Sequence, residues 1–214
     1  MQDSLATSVY FQSAVYTLNK PDFLAEMKPV FDEYIARQTA VKEVNNIYPA
    51  VMTENMVLDP RLNSFANYVA STAWNILSAQ GYKMDDKITF FESMWGQEHH
   101  KRSNMEQHIH NNGVQIVGFY FIECPEDSSH VIIHDPRAGK NQINMPEADA
   151  SKVTYASSMV SFKPEAGMLL FANSWLPHSF SRNGSKKPIK FLHFNINVMM
   201  NPNPVVAKEE VTIV

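Results

Sequence analysis

The chain has 214 residues, enough for one hydrophobic core, and we expect residues 1–214 to fold as a single domain. Its 44% hydrophobic and 19% charged residues are typical of a globular protein and exclude a disordered or fibrous one. Eighteen basic against 22 acidic residues give a net charge of −4, which argues against nucleic acid as a partner because the overall field does not attract a polyanion.

The first elements of the chain are predicted to be a strand or two followed by helices. Residues 7–18 alternate and are rich in β-formers. Apolar residues at helical spacing then predict one helix from Pro21 to Arg37, which Pro29 should kink or divide, and a second from Asp59 to Gln80. Both helices are amphipathic, so we expect them to lie on another surface of the protein.

From Lys87 onward the pattern changes to short apolar or alternating runs separated by turns. We predict strands at residues 88–95, 114–122, 130–134, 159–162, 168–172 and 189–198. The interpretation is a mainly β fold, a sandwich or jelly roll, with a barrel core over about 87–198 and helical support over about 19–81. The tail to Val214 is expected to be peripheral.

The single cysteine and the N-terminal sequence indicate in which cellular compartment the protein is expected. Cys124 has no partner for an internal disulfide, which suits a reducing environment. The N-terminus lacks a basic segment followed by an apolar one, and no apolar run is long enough to span a bilayer. We therefore expect a cytoplasmic protein that does not interact with membranes.

Three of the eight histidines are spaced as metal ligands would be. His108 and His110 are two residues apart, so in an extended strand their side chains point to the same side. His178 follows a Trp-Leu-Pro segment at the start of another predicted strand. Two imidazoles from one strand and a third from a distant one can hold one face of a metal ion and leave the other open to substrate or dioxygen.

The other histidines are interpreted without a role in chemistry. His99 and His100 lie in a polar segment that we expect to be a solvated loop. His130, His134 and His193 lie in or beside strands, where a histidine more often makes a hydrogen bond than binds a metal.

The residues around the three histidines form an ordered set of short motifs. The motifs are Trp95, His108-x-His110, Gly118-Phe-Tyr120-Phe, Cys124-Pro125, Ile132-Ile-His-Asp135-Pro136-Arg137, Pro164-Glu-Ala-Gly167-Met-Leu-Leu-Phe171, Trp175-Leu-Pro-His178 and Phe194-Asn195-Ile196. In their order and spacing they resemble the 2-oxoglutarate and Fe(II)-dependent oxygenases, specifically a small bacterial and phage group with a His-x-His motif. The resemblance covers most of the chain from about the first helix to Val198.

The resemblance implies a double-stranded β-helix whose open end holds Fe(II), with 2-oxoglutarate as co-substrate and dioxygen as oxidant. Decarboxylation to succinate would be coupled to hydroxylation of an unactivated C–H bond in a peptide side chain or small metabolite. His108 and His178 would be metal ligands. A phage-encoded member would act in the host cytoplasm.

His110 stands where most of the superfamily has a carboxylate. Three neutral imidazoles leave the full charge of Fe(II), so more compensation must come from the bound dianion. We rank His110 as the third ligand, ahead of water or a nearby carboxylate such as Glu106 or Asp135.

The superfamily also places a basic residue on the last core strand to pair with the distal carboxylate of 2-oxoglutarate. Lys190 has the expected offset from His178, but an ungapped alignment on Phe194 places Ile189 there instead and turns Lys190 to the other face. A bulge after Pro188 would restore Lys190. Other candidates for binding this carboxylate are Arg182, Arg137 and the hydroxyl of Tyr120.

Two alternative hypotheses assign the protein to a different functional class. The same histidines could hold zinc or nickel in a β-barrel that binds a small molecule without redox chemistry. Alternatively, the missing carboxylate and the misplaced basic residue could mark a decayed oxygenase fold with a structural role.

Overall fold

The computed structural model describes residues 4–143 and 145–202. Two helices, α1 (Leu24–Thr39) and α2 (Asn63–Ala79), lie in the N-terminal part. The strands are β1 (Val15–Asn19), β2 (Ala50–Met52), β3 (Lys87–His99), β4 (Met105–His108), β5 (Val114–Glu123), β6 (Val131–His134), β7 (Met159–Phe162), β8 (Met168–Asn173), β9 (His178–Phe180) and β10 (Ile189–Met200).

The strands form two antiparallel sheets. The larger has the order β1-β8-β5-β10-β3-β2, and the smaller has the order β4-β9-β6-β7. Most strands that are consecutive in the chain belong to different sheets, so the chain passes repeatedly between the two layers, as in a jelly roll. The predicted mainly β jelly roll with two N-terminal helices is confirmed.

The larger sheet is buried on both faces. On one face, which we call the helix face, it packs against α1 and α2; this core includes Met27 and Phe65 from the helices and Phe194 from β10. On the other, which we call the inner face, it packs against the smaller sheet through Phe119, Phe191 and other apolar residues. Side chains of one strand therefore alternate between two cores.

A glycine allows β5 and β10 to fit beneath the helices. The ring of Phe194 lies across Gly118 on the helix face, and a Cβ at Gly118 would lie 2.7 Å from the carbonyl oxygen of Leu170 and would overlap the ring. Because neither backbone nor a ring held on all sides can move away at low cost, this position requires glycine.

The structure differs from the predicted elements in four places. Within residues 7–18, only the part from Val15 onward is strand. Pro29 lies inside α1 without dividing it, since one missing N–H removes only one hydrogen bond near the helix start. Strands β2 and β4, of three and four residues, are too short to show a periodic pattern. The predicted peripheral tail lies mostly outside the described residues.

No helix in the described part of the chain has the length and apolar character that crossing a membrane requires.

Candidate metal centre

Neighbouring strands of the smaller sheet bring His108 and His178 together. They are directly paired across the β4–β9 ladder, which places their rings 4.4 Å apart between centroids. His108 is the last residue of β4 and His178 is the first of β9. The close approach follows from their pairing in the ladder, because opposite residues of adjacent antiparallel strands share a face.

His110 lies beyond the end of β4 but remains tied to the same place. Its backbone N–H donates to the carbonyl of Ser174, just before the turn that leads to His178, at 2.9 Å. Its ring centroid is 5.1 Å from that of His108 and 5.2 Å from that of His178. One ring nitrogen from each of the three histidines lies within 4.8 Å of those of the others, a separation that suits ligands of one ion.

Backbone carbonyls fix the tautomers of two of these rings. The Nδ1 of His108 is 2.8 Å from the carbonyl of Glu106, and the Nδ1 of His178 is 3.0 Å from that of Leu176. A carbonyl can only accept, so each Nδ1 must carry the proton and each Nε2 presents a lone pair. Such a hydrogen bond on the far ring nitrogen is the usual support for a metal-binding histidine.

Two Nε2 atoms of the three histidines are buried and meet no partner in the described part of the chain. The Nε2 atoms of His110 and His178 are buried without a hydrogen bond to any described residue. Burial lowers the pKa of His178 to about 3 and that of His110 to about 4, so both are neutral near pH 7. Neutral imidazoles with unused buried nitrogens fit a metal ion, because the ion satisfies atoms that would otherwise lose their hydration without compensation.

The two carboxylates considered as alternatives to His110 are placed elsewhere. Asp135 accepts two hydrogen bonds from the guanidinium of Arg137, at 2.9 and 2.7 Å, so its charge is already paired. Glu106 has an exposed side chain, and only its carbonyl approaches His108. The structure therefore groups the three histidines and leaves both carboxylates out of the cluster.

Two of the proposed co-substrate-binding residues lie on the helix face, which corrects the prediction. Lys190 is ion-paired with Asp32 of α1 at 2.9 Å, and the inner position belongs to the fully buried Ile189. A bulge does occur between Lys190 and Phe191 opposite β5, but it does not turn the lysine inward. Tyr120 donates its hydroxyl to the carbonyl of Lys20 and packs in the core beneath the helices.

The two arginines differ from each other. Arg137 is bound to Asp135 and lines a groove of about 500 Å³ beside the smaller sheet, as expected for a surface pair. Arg182 follows β9 by two residues, and its side chain has no hydrogen bond or ion pair with the residues that the structure describes. Arg182 is thus the candidate whose charge is free to meet a ligand.

Three polar residues of the inner face were not expected in the site. His99 was predicted to be in a solvated loop, but it ends β3 and is 3% exposed. It is joined through Gln97 to His193, whose ring lies 5.1 Å from that of His110. The sequence signal that could have identified them is the alternation of β3, which continues through residues 95, 97 and 99. The last two are polar, so the segment was interpreted as a loop. The hydrogen bonds expected for His130 and His134 are present, to Ser161 and Ser179.

A jelly roll that brings three imidazole nitrogens within 4.8 Å of one another is typical of β-barrel proteins that hold a single metal ion through one face of its coordination sphere. Within that class, residues 93–195 match the family model described as "Putative 2OG-Fe(II) oxygenase". This part of the chain, which contains all three histidines, is similar to that family. The resemblance inferred from the sequence is confirmed, and so are the family's cofactors, Fe(II) and 2-oxoglutarate.

Solved structures share the fold at low sequence identity. The alpha-ketoglutarate-dependent epimerase SnoN from nogalamycin biosynthesis aligns with a TM-score of 0.60 at 10% identity, over 91% of this chain and 81% of that one. A Pseudomonas putida prolyl-4-hydroxylase aligns with a TM-score of 0.54 at 10% identity, over 86% and 92%. A sequence comparison with curated proteins gives no significant match.

Proposed function

We propose that this protein is an Fe(II)- and 2-oxoglutarate-dependent dioxygenase that hydroxylates a peptide side chain or a small metabolite. The observation that carries the proposal is the set of three imidazoles, His108, His110 and His178, with nitrogens within 4.8 Å of one another. All three lie in the segment that matches the oxygenase family. They are the proposed metal ligands.

The chain's own residues would position the ion and shield it. When bound with 2-oxoglutarate, iron supplies the activation of dioxygen that a protein side chain lacks. His178 is 1% exposed, and the ring of Phe119 lies 5.7 Å from its ring on the inner face. A wall of this kind keeps water from one side of the metal, so entry is confined to the side of His108 and His110.

The distal carboxylate of 2-oxoglutarate needs a partner, and Arg182 is our proposed one. It is exposed and lies two residues beyond Phe180, the last residue of β9, whose ring stacks on Phe191 at 4.6 Å. Supporting this assignment, Arg137 and Lys190 are already paired with carboxylates. A guanidinium can also bind a carboxylate by two parallel hydrogen bonds.

The test is anaerobic purification with iron, followed by metal analysis and a succinate-release assay. We expect about one iron per chain and succinate formation that requires both 2-oxoglutarate and dioxygen, since turnover of the co-substrate can proceed without the prime substrate. His178→Ala should abolish both iron binding and succinate formation. Iron binding without succinate, with or without candidate substrates, would contradict the proposal.

A second candidate is a metal-binding module without redox chemistry. It is favoured by one observation: the described strands of the larger sheet place no cation on the inner face. Their two basic residues are Lys190 on the helix face and Lys87, paired with Asp86 at the far end of β3. In that case zinc or nickel would be the resident ion, and no succinate would form from 2-oxoglutarate.

A further inference from the structure

A row of buried polar side chains on the inner face leads to the metal centre. In the register of β3 and β10, Trp95 pairs with His193, Gln97 with Phe191, and His99 with Ile189. Gln97 and His193 are each 1% exposed, in a layer that otherwise consists mostly of apolar and aromatic residues. Polar groups this deeply buried are ordinarily hydrogen-bonded at every position.

The amide of Gln97 determines which nitrogen of His193 carries the proton. Its oxygen is 2.8 Å from the Nε2 of His99, and its nitrogen is 3.2 Å from the Nδ1 of His193. An amide nitrogen only donates, so the Nδ1 of His193 must accept and its proton must be on Nε2. With Nδ1 unprotonated, the imidazole is neutral.

The resulting Nε2–H of His193 is a donor without an acceptor. It is buried and meets no hydrogen-bond partner among the described residues, and the same holds for the Nε1–H of Trp95. The two rings lie 4.4 Å apart, and Phe119 packs on His193 at 4.5 Å, so the imidazole is held in place. A donor left unpaired here loses its hydration without compensation, so an acceptor is expected beside it.

The position of this donor indicates what the acceptor is. The His193 ring lies 5.1, 6.3 and 6.5 Å from those of His110, His178 and His108, beside the metal centre but outside its ligand set. The described strands of the larger sheet place no cation on the inner face, so the groups that they offer to an anionic oxygen are neutral N–H donors. A charged acceptor strengthens such a bond, since the partner is ionised and the surroundings are dry.

We propose that His193, held as an Nε2–H donor by Gln97, is a co-substrate-binding residue that donates to a carboxylate oxygen of 2-oxoglutarate beside the metal. Gln97 and His99 are positioning residues. The inference rests on the proposed function and adds to it a specific way of binding the dianion. In this proposal the neutral donors of β3 and β10 bind 2-oxoglutarate together with Arg182. The sequence alone predicts a single cation for this purpose.

The test measures 2-oxoglutarate binding directly, by calorimetric titration of the anaerobic iron-loaded protein. His193→Phe keeps a planar ring but removes the donor, and should raise the Kd for 2-oxoglutarate about tenfold to hundredfold, with an unchanged Kd for iron. His193→Gln retains an N–H and should recover most of the loss. Lys190→Met, on the other face of the same strand, is the control and should bind like wild type.

Gln97→Glu tests the tautomer without removing His193. A carboxylate accepts only, so His193 would place its proton on Nδ1 and present a lone pair at Nε2, and the Kd for 2-oxoglutarate should again rise at least tenfold. This variant also keeps the proposal testable if His193→Phe does not fold.

Each other outcome has a distinct meaning. Wild-type affinity in His193→Phe or Gln97→Glu would overturn the proposal, as would a His193→Gln variant no better than the phenylalanine one. Loss of iron from His193→Phe would make His193 a metal ligand and also overturn it. If wild type binds iron but shows no titration with 2-oxoglutarate, the proposed function itself fails.

Discussion

At the scale of single residues, the site depends on which ring nitrogen each histidine presents. Backbone carbonyls two residues upstream hold the protons of His108 and His178 on Nδ1, so the nitrogen that would face a metal is set by the local chain rather than by another side chain. A ligand oriented by backbone is pre-organised before the ion arrives, which reduces the entropy lost on binding.

Replacing His178 by alanine should lower iron affinity by more than about a hundredfold, since even the loss of an outer-shell partner lowers metal affinity tenfold to a hundredfold. The fold should persist because the side chain lies at the edge of the inner core. Iron stoichiometry after desalting, with circular dichroism for the fold, measures both. His134→Ala is the matched control: His134 is on the next strand but bonds Ser179 on the outer face. An equal loss of iron in both variants would count against the site.

The sequence was sufficient to predict that the three histidines lie together, because their geometry depends only on local spacing and on one long-range pairing. It was not sufficient for the co-substrate-binding residues. Those depend on strand register, because a shift of one residue in the register decides whether Lys190 or Ile189 faces the inner core. His193 could not be singled out either, because its role depends on the partner of its second nitrogen, which is a tertiary contact.

At the scale of elements, the helix layer depends on close contact between α1, α2 and the larger sheet. Gly96 and Gly118 bring the backbones of β3 and β5 against Phe31 and Phe194. These contacts pack β3 and β10 against the helix layer, while the opposite faces of the same strands present Gln97 and His193. Packing on one face thus fixes the geometry of the site on the other.

Gly118→Ala should reduce the free energy of unfolding by about 1–3 kcal/mol, as expected for overpacking against a ring and a carbonyl that cannot both move. Urea denaturation followed by fluorescence measures the change. Gly139→Ala, where a Cβ would meet nothing within 4 Å, should differ from wild type by less than about 0.5 kcal/mol. If the two variants were equally stable, the close packing inferred at Gly118 would be wrong.

A second element-scale prediction concerns Asp59, which caps the turn before α2. Its carboxylate accepts from the backbone and side chain of Arg61, and these bonds lower its pKa to about 2. The folded pKa is below the unfolded value of about 3.9, so the stabilisation is present above pH 4 and is lost as the pH falls toward 2.

Asp59→Ala should therefore destabilise the protein by about 1–2 kcal/mol at pH 7, with a smaller difference from wild type at pH 2.5. Urea unfolding at the two pH values gives the comparison. Asp22→Ala removes an exposed partner of Lys20 and should change stability by less than about 0.5 kcal/mol at either pH. A difference that grew on acidification would contradict the assigned sign.

At the scale of the whole molecule, the metal would join segments that the sheets hold only weakly. β4 has four residues and lies at the edge of the smaller sheet, and His110 follows it in a connection with left-handed residues at Asn112 and Gly113. An ion bound to His108, His110 and His178 would link this edge to β9, so binding energy adds to folding stability.

Removing iron with a chelator should lower the melting temperature. With free metal at 100 times its Kd, the loss is about 2.7 kcal/mol, or roughly 5–11 °C for a chain of this size. Differential scanning fluorimetry under nitrogen measures the shift, and His178→Ala should show none. A chelator that shifted both proteins equally would indicate an effect unrelated to this centre.

The fold as a whole was predictable because long periodic segments determine it. The helical stripes and the longer strands follow from burial on known faces, whereas β2 and β4 are held by tertiary pairing alone. Pro29 also shows that packing of Met27, Phe31 and Tyr34 outweighs one lost helix hydrogen bond.

The alternation along β10 has a consequence for how this chain can change in length. Ile189, Phe191, His193 and Asn195 serve the inner layer, while the intervening residues serve the helices, so a single inserted residue would exchange the two sets over the rest of the strand. Natural variation in this segment should therefore proceed by substitution or by insertions of two residues. Substitution of Ile189 by a basic residue would place a charge in the inner layer without changing the register of the strand.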